Sequence, residues 1–335
     1  MSKLAVKYRP TTFKDVIGQE LNVKILKKQV ENNDLPTGYL FSGGSGIGKT
    51  TIARIIANKI DAEVIEIDGA SNNSVSNIRE IRKNTRLKSI TNDYKVYIID
   101  ESHMLSSSAF NALLKTLEEP PDNVMFILAT TEPEKILNTI HTRLQKFEFT
   151  RVNWQKIEER LKYIVEQEKR EMKEEVIQYI SKISNGSVRS AISILEKVME
   201  LDNPDIEDVS NLIGGINYPL VFDLFRAVLK DKDITKVLEL IEKSHEKGKN
   251  LHRLIKQTAE FTVELTKYAM FNNFNYIKVP QIYKEELNEM VEIVSNSDFR
   301  LRELFNEFNQ LSNDLKYEED RKLLVQGTLM QMVGD

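Results

Sequence analysis

The first 150 residues alternate short apolar runs with segments of helical spacing. The runs Tyr39–Phe41, Val96–Ile99 and Val124–Ala129 are continuously apolar, as strands buried on both faces of a parallel sheet are. Two shorter strands are predicted at Glu63–Ile67 and Lys146–Phe149. Between the runs, apolar residues recur every three or four positions, which predicts helices. This pattern predicts an α/β domain with a five-stranded parallel sheet covered by helices on both faces.

Strand signals disappear after residue 153, and helical patterns continue to the end of the chain. Three helices are predicted over 156–171, 173–184 and 187–201, and Gly214-Gly215 then resembles a hinge. The segment 218–335 predicts about six further helices. We therefore predict three domains: an α/β domain at 1–150, a small three-helix domain at 151–215 and a larger all-α domain at 216–335.

The loop after the first apolar run has the pattern of a phosphate-binding loop, Gly43-x-x-x-x-Gly48-Lys49-Thr50. Its glycines allow a tight turn whose N–H groups point at phosphate oxygens, and its lysine adds a positive charge. The threonine hydroxyl can ligate Mg²⁺, and the following helix adds the partial charge of its N-terminus. A chance glycine-rich turn rarely lies between a strand and a helix, so a nucleoside triphosphate is the predicted ligand. The residues predicted to contact it here are Gly43, Gly44, Ser45, Gly46, Ile47, Gly48, Lys49, Thr50 and Thr51.

Two carboxylates follow the next long apolar run, in the sequence KVYIIDE at 95–101. Asp100, at the end of a buried strand, is predicted to hold Mg²⁺ directly or through water, and Glu101 to orient the attacking water. The run 124–129 similarly ends in Thr130 and Thr131. Because ligands bind at the carboxyl ends of parallel strands, we expect Asp100 and Thr131 to lie beside the glycine-rich loop.

Charge restricts where a nucleic acid could bind. The formal net charge is −4, but Lys and Arg outnumber Asp and Glu in residues 1–150, so we expect any DNA contact there. One predicted helix in this region carries four basic residues on one side, and both a solvated helical face and a DNA-phosphate patch fit that pattern. The four residues are Arg79, Arg82, Lys83 and Arg86.

Composition excludes several classes of site. The chain has no cysteine, which excludes disulfides and cysteine-ligated metals, and its four histidines are scattered without ligand spacing. No apolar stretch reaches the ~20 residues of a membrane span, and the N-terminal segment has no apolar core of signal-peptide length. We expect a cytoplasmic protein without membrane contact.

Several longer motifs are specific enough to compare with a known family. They are KYRPTTFKDVIGQ (7–19), IEIDGAS (65–71), DESHMLSSSAFNALLKTLEEPP (100–121), ATTEP (129–133), Thr142-Arg143, the segment 186–202 with Arg189, and DRKLLVQGTLMQMV (320–333). Together they resemble the ATPase subunits of sliding-clamp loaders, in particular the bacterial DNA polymerase III gamma/tau family in its short form. The likeness spans nearly the whole chain, is most specific over 95–143 and is weakest over 216–320.

The resemblance implies an AAA+ fold, in which 1–150 binds nucleotide, 151–215 forms a lid and 216–335 forms a collar for oligomerisation. It implies ATP and Mg²⁺ as cofactors. The implied partners are other loader subunits in a pentamer, a sliding clamp, primer–template DNA and, indirectly, a replicative DNA polymerase.

The resemblance also implies roles for individual residues. The catalytic set would be Lys49, Asp100, Glu101 and Arg143, the last as an arginine finger offered to a neighbour's ATP. Thr131 would be the polar sensor near the γ-phosphate, and Arg189 would reach the phosphates within its own subunit. The adenine pocket would be lined by a cluster that, taken alone, fits a packed N-terminal arm: Tyr8, Arg9, Pro10, Val16 and Ile17.

Two departures from the family pattern matter. Gamma/tau proteins carry a four-cysteine zinc module after the first helix of the phosphate loop, whereas here Ile60 leads directly to Asp61 and no cysteine exists, so we predict no zinc. The arginine-finger motif is Ser-Arg-Cys in the family and Thr142-Arg143-Leu144 here, which keeps a hydroxyl and an apolar neighbour. The missing module and the Asn-, Lys- and Ile-rich composition together suggest a minimal subunit, of cellular or phage origin.

Three classes of protein remain open from the sequence. A clamp-loader ATPase is favoured by the stretches NALLKTLEEPP and ATTEP. Another AAA+ DNA motor, such as a branch-migration helicase, shares the earlier motifs. A non-hydrolysing loader subunit is the third class, and such subunits typically lose the phosphate-loop lysine that is present here as Lys49.

Overall fold

A computed structural model describes residues 2–85, 92, 94–119, 121–246 and 250–334. The chain divides into two compact units. The first comprises Met1–Lys169 with Ser184–Glu196, and the second comprises Arg170–Ile183 with Lys197–Asp335. The division into three domains that we drew from the sequence differs from this one and stays a prediction.

The first unit contains a five-stranded parallel sheet with the order β2-β3-β4-β1-β5. Its strands are β1 (Gly38–Ser42), β2 (Ala62–Asp68), β3 (Tyr94–Asp100), β4 (Val124–Thr130) and β5 (Gln145–Glu148). The register pairs Ser42 with Thr130 and Asp68 with Asp100, so the carboxyl ends of four strands lie at one edge. The predicted α/β class and five-stranded parallel sheet are confirmed.

The helices of the described residues include the three predicted over 156–171, 173–184 and 187–201, which are found at Trp154–Gln167, Glu174–Ile183 and Val188–Val198. In chain order they are α1 (Lys3–Lys7), α2 (Glu20–Glu31), α3 (Lys49–Lys59), α4 (Val75–Thr85), α5 (Ser107–Glu118), α6 (Asn138–His141), α7 (Trp154–Gln167), α8 (Glu174–Ile183), α9 (Val188–Val198), α10 (Ile206–Ile213), α11 (Tyr218–Phe225), α12 (Ile234–Glu246), α13 (Leu251–Phe271), α14 (Lys284–Ser295), α15 (Leu301–Asp314) and α16 (Arg321–Gly334). A π-helical turn, Arg226–Lys230, continues α11.

The two faces of the sheet bury separate apolar clusters, which explains the continuous apolar runs at 39–41, 96–99 and 124–129. On one face Phe41 packs in a cluster with Ile52 of α3, and on the other Leu40 belongs to a cluster that includes Phe110 of α5. Successive side chains of a strand point to opposite faces, so a strand covered on both sides needs no polar positions.

Two details of the helical region differ from the sequence prediction. Helix α7 ends at Gln167 rather than at residue 171, because Lys169 adopts a left-handed conformation with φ of 52°. Helix α10 was not predicted, although its start carries a capping box: Asp208 N donates to Asp205 Oδ1 at 2.9 Å, and Asp205 N donates to Asp208 Oδ2 at 3.0 Å. The interval 151–215 therefore contains four helices, α7 to α10.

The second unit is helical throughout its described part, and a chain of aromatic rings fills its core. Phe261 lies between Phe222 and Phe225, with ring centroids at 5.5 and 5.4 Å, and Phe225 stacks on Phe308 at 6.0 Å. Such pairs add to the stabilisation gained from burying the rings. Six helices, α11 to α16, follow residue 217, as predicted.

The predicted hinge at Gly214-Gly215 is fastened to α13 by hydrogen bonds. Gln257 Nε2 donates to the carbonyls of Gly214 and Gly215 at 3.0 and 2.6 Å. Arg253 Nη2 donates to the carbonyl of Ile213 at 3.2 Å. Gly214 also has a φ of +62°, and its α-carbon faces the Arg253 guanidinium so closely that a Cβ would collide with it. This turn is therefore a fixed element of the second unit.

Within the described ranges, no single helix is long and apolar enough to cross a membrane. One sharply bent pair, Ile206–Ile213 with Tyr218–Lys230, reaches that length and composition only when its two helices are counted together.

Candidate nucleotide-binding site

The glycine-rich loop connects β1 to α3, and three of its glycines adopt backbone angles that side chains disfavour. Gly43, Gly46 and Gly48 have φ of 134°, 72° and 115°. The Lys49 side chain, with the residue only 6% exposed, folds back over this loop. Its Nζ donates to the carbonyls of Gly43 and Gly44 at 2.6 and 2.7 Å. The loop therefore holds a buried positive charge at its centre.

Burial lowers the pKa of Lys49, while the nearby carboxylates Glu101 and Asp100 act in the opposite direction and Arg189 adds to the lowering. An ammonium that has lost its water and lies near other cations is stabilised by an added anion. The N-terminus of α3, which begins at Lys49, contributes further positive potential. The loop is consequently suited to a polyphosphate.

Asp100 is the last residue of β3 and accepts a hydrogen bond from α3, the helix that follows the glycine-rich loop. Thr50 Oγ1 donates to Asp100 Oδ2 at 2.8 Å, and Glu101 N donates to Asp100 Oδ1 at 3.0 Å. A hydroxyl and a carboxylate side by side are oxygen ligands of the kind that Mg²⁺ prefers. In the part of the chain that the structure describes, no group of three or more His, Asp or Glu could hold a metal ion. Mg²⁺ would therefore take its other ligands from phosphate and water.

Glu101 lies next to Asp100 and is held by residues at the end of β4. Thr131 Oγ1 donates to Glu101 Oε2 at 3.1 Å. His103, whose side chain is 7% exposed, places Nδ1 at 3.1 Å from Thr130 Oγ1 and Nε2 at 3.1 Å from Glu132 Oε1. His103 was not among the predicted site residues, although it lies within the motif DESHMLSSSAFNALLKTLEEPP (100–121). The ends of β3 and β4 thus converge, as predicted.

These elements border one open cleft. Its lining includes five residues before the loop that were predicted for the adenine pocket, namely Tyr8, Arg9, Pro10, Val16 and Ile17. It also includes the predicted residues Ser45, Gly46, Ile47, Gly48, Lys49, Thr50, Thr51, Asp100, Glu101 and Arg189. Gly43 and Gly44 contribute their carbonyls to Lys49, and Thr131 reaches the cleft through Glu101.

Four lining residues were missed by the sequence reasoning: Ala5, Arg160, Val188 and Ile192. Ala5 and Arg160 lie on α1 and α7, outside the motifs, whereas Val188 and Ile192 lie on α9, inside the segment 186–202 from which only Arg189 was predicted. Helix α9 is attached to the loop directly, because Arg189 N donates to the carbonyl of Gly46 at 3.2 Å. Burial lowers the pKa of Arg9, and the positive charges of Arg54 and Arg189 lower it further. Cationic groups therefore crowd one side of the cleft.

Arg143 lies away from this cleft, just beyond α6. Its Nη1 donates to the carbonyl of Thr139 at 2.6 Å, and its Nη2 lies 2.5 Å from Glu118 Oε1 on α5. The acidic partner of Arg143 is thus Glu118 and not Glu132, which lies nearer in the sequence. Glu132 instead pairs with Lys135 at 2.7 Å.

The basic residues of α4 lie on its surface. Arg79 and Lys83 are exposed and Arg82 is half-buried, so three of the four predicted DNA contacts share an accessible side of the helix. Arg86, the fourth, lies outside the described residues.

Comparison with known proteins identifies the family. Residues 55–153 match the model of the DNA polymerase III delta subunit, and residues 205–308 match that of domain III of DNA polymerase III subunits gamma and tau. DNA polymerase III subunit gamma of Buchnera aphidicola subsp. Schizaphis graminum is 33% identical over 359 residues, covering 99% of this chain and 98% of that protein. The chain belongs to the DNA polymerase III gamma/tau family.

Other members of the gamma/tau family are longer. DNA polymerase III subunit tau of Bacillus subtilis is 35% identical over 87% of this chain but 58% of its own length. Subunit gamma/tau of Mycoplasma genitalium is 35% identical over 81% of the chain and 50% of its own length. This gamma/tau chain thus spans about half the length of some relatives and nearly all of others.

The structural comparison bears on the fold of this gamma/tau chain. RuvB of Thermotoga maritima, a Holliday junction branch migration motor, superposes with a TM-score of 0.53 and 19% identity, over 72% of this chain and 86% of that one. At that identity the likeness shows a shared fold alone, which is the predicted AAA+ architecture.

Proposed function

We propose that this chain is the ATPase subunit of a sliding-clamp loader, which uses ATP binding and hydrolysis to open a clamp and place it on primer–template DNA. The observation that carries the proposal is the convergence of Lys49, Thr50, Asp100 and Glu101 in one cleft. Their arrangement supports phosphoryl transfer to water, and the family supports the biological setting.

The phosphates would be bound by the loop and the start of α3. Backbone N–H groups of residues 43–48 surround them, and Lys49 exchanges its two carbonyl partners for phosphate oxygens. This exchange is favourable because a charge-assisted bond to phosphate is stronger than one to a neutral carbonyl. Arg189, which also lines the cleft, supplies a second cation to the same phosphates.

Thr50 and Asp100 would hold Mg²⁺, which neutralises charge on the β- and γ-phosphates when it is bound. Glu101 is suited to orient and deprotonate the attacking water, since its carboxylate faces the cleft beside Asp100. Thr131 donates to that carboxylate and so fixes its direction. Through the same hydroxyl Thr131 is proposed to sense the terminal phosphate, the role that the family resemblance assigns to it.

The adenine ring would lie against residues 8–17, which supply apolar side chains at Val16 and Ile17 and a ring at Tyr8. Stacking and burial of a purine suit such a wall. The cleft thus offers a charged half for the triphosphate and an apolar half for the base.

Arg143 does not reach the cleft of its own chain, and we propose that it acts on a neighbour's ATP as an arginine finger. This requires an oligomer, and we assign residues 216–335 to its assembly as the collar of a pentameric loader. The exposed basic side of α4 is proposed to contact DNA phosphates through Arg79, Arg82 and Lys83. Arg86, outside the described residues, is proposed as a fourth DNA contact from the sequence alone. The proposed partners are other loader subunits, the clamp, primer–template DNA and, indirectly, the polymerase.

Two alternative functions have weaker support. A branch-migration motor is supported only by a fold likeness at 19% identity, whereas the gamma family is matched over 98% of a relative's length. A non-hydrolysing subunit is disfavoured because Lys49, Asp100 and Glu101 all lie in the cleft. No zinc is proposed for the loader role, since the chain has no cysteine to bind it.

The chemistry is tested by two substitutions. Lys49→Ala should remove ATP binding, because the loop loses its buried cation, whereas Glu101→Gln should bind ATP normally and stop turnover. Equilibrium binding and steady-state hydrolysis are measured for both, with Lys59→Ala, an exposed lysine at the end of α3, as the control. Normal turnover in the Glu101 variant would exclude it as the residue that orients water.

A further inference from the structure

Tyr8 is attached to helix α7 at both its backbone and its hydroxyl. Arg160 Nη2 donates to the Tyr8 carbonyl at 2.8 Å. At the other end, the Tyr8 hydroxyl donates to Glu168 Oε1, which also accepts from Lys7 Nζ at 2.7 Å. Arg160 of α7 and Glu168, the residue that caps the end of this helix, therefore hold a residue of the cleft that lies some 150 positions away in sequence.

The guanidinium of Arg160 is itself held in place. It lies over the ring of Tyr163, 5.1 Å from the centroid, and that ring meets the Tyr8 ring edge-on at 6.3 Å. A planar guanidinium stacked on an aromatic ring keeps its donors in a fixed direction. Arg160 and Tyr8 both line the cleft, so the hydrogen bond between them lies at the surface of the cleft.

The wall formed by residues 5–17 depends on such contacts because it belongs to no strand of the sheet. Its first part is the short helix α1, and Tyr8 follows as the residue that ends it. Phe13 is buried in the core and anchors the far part of the segment. Tyr8 is half-buried and belongs to neither apolar cluster formed by the described residues of the sheet. Its ring and hydroxyl are instead positioned by Tyr163 and Glu168.

We propose that Arg160 is a positioning residue for the base of the bound nucleotide. It fixes the Tyr8 wall against α7, with Glu168 as the second attachment point, and so sets the affinity for the base without touching the phosphates. This inference rests on the proposed binding of ATP in the cleft. Recognition of the base is thereby linked to α7, while recognition of the phosphates is linked to the loop and α3.

The test compares ATP with inorganic tripolyphosphate, which carries the phosphates without the base. Arg160→Ala should weaken ATP binding about tenfold, the loss expected from one hydrogen bond to a charged donor, and leave tripolyphosphate binding within about twofold. Arg160→Lys keeps one donor for the Tyr8 carbonyl and should recover part of the loss. Glu168→Gln should weaken ATP binding by a few-fold with the same selectivity.

Two control variants, Arg170→Ala and Glu166→Gln, change exposed residues of the same types as Arg160 and Glu168. Both should bind ATP and tripolyphosphate as the wild type does. Equal losses for ATP and tripolyphosphate, or unchanged ATP binding in Arg160→Ala, would overturn the inference. If Arg160→Ala does not fold, the lysine and glutamine variants decide by the same comparison. Wild-type protein that bound neither ligand would instead overturn the proposed function.

Discussion

Arg143 is bound to Glu118 of its own chain, with 2.5 Å between Nη2 and Oε1, and also donates to the carbonyl of Thr139. These two contacts hold the guanidinium at the surface, where its side chain is 31% exposed. A partly exposed ion pair contributes little stability, about 0–1 kcal/mol, so a stronger anion can displace the carboxylate. The terminal phosphate of a neighbour's ATP would be such an anion.

We expect Arg143→Ala to lower ATP hydrolysis by ~10³–10⁵-fold and to leave ATP affinity within a few-fold, because an arginine supplied in trans stabilises charge on the transferring phosphoryl group. Hydrolysis and equilibrium binding are measured on the assembled protein. Mixing this variant with Lys49→Ala should partly restore turnover, since a mixed ring can place an intact arginine beside an intact loop.

A matched control for Arg143 is Glu118→Gln, which removes the ion pair but keeps the arginine. It should retain most of the hydrolysis activity. Near-normal turnover in Arg143→Ala, together with no gain on mixing, would show that Arg143 serves only its contact with Glu118.

Gly214→Ala should destabilise the second unit by about 1–2 kcal/mol, since an alanine is strained at a φ of +62° and its methyl would displace the Arg253 guanidinium. The free energy of unfolding is measured by denaturant titration. Gly327→Ala provides the comparison: this glycine lies inside α16 with no atom near its added Cβ, so alanine should stabilise by about 0.5–1 kcal/mol. A harmless Gly214→Ala would mean that the turn is a flexible hinge.

The sheet was predictable because a strand buried on both faces has a continuous run of apolar residues. Leu40 and Phe41 are adjacent in such a run and pack on opposite faces of the sheet. The loop and Asp100 were predictable because phosphate and Mg²⁺ chemistry dictates their residue types. The contacts of Arg160 with Tyr8 and of Arg143 with Glu118 were not, since each joins segments that only tertiary packing brings together. Surface arginines have no periodicity that would indicate which partner they meet.

Stability of the second unit should depend on pH through Glu289. Hydrogen bonds from Arg226 and Lys230 lower the pKa of this carboxyl to about 2, well below its ordinary value of 4.5. A carboxyl whose pKa is lowered by folding stabilises the fold above the unfolded pKa, and this contribution is lost as pH falls from 4.5 toward 2.

Glu289→Gln should therefore be less stable than the wild type at pH 7, by about 1 kcal/mol after allowance for solvent screening of a partly exposed pair. The difference should shrink below the unfolded pKa and vanish near pH 2. Unfolding free energies across this range are compared with those of Glu292→Gln, an exposed residue of the same helix α14. If the difference in unfolding free energy between Glu289→Gln and the wild type did not change with pH, the substitution would act through packing and not through charge.

The proposal that this gamma/tau-family chain is the ATPase of a clamp loader is tested most directly by one rate. The complex isolated through this chain is assayed for steady-state ATP hydrolysis, with and without its sliding clamp and primed DNA. We predict a low basal rate that rises several-fold when clamp and primed DNA are both present, and loss of most of that increase in the matched Lys49→Ala complex. An equal rate with and without clamp and primed DNA, or a fully active Lys49→Ala complex, would contradict the proposal.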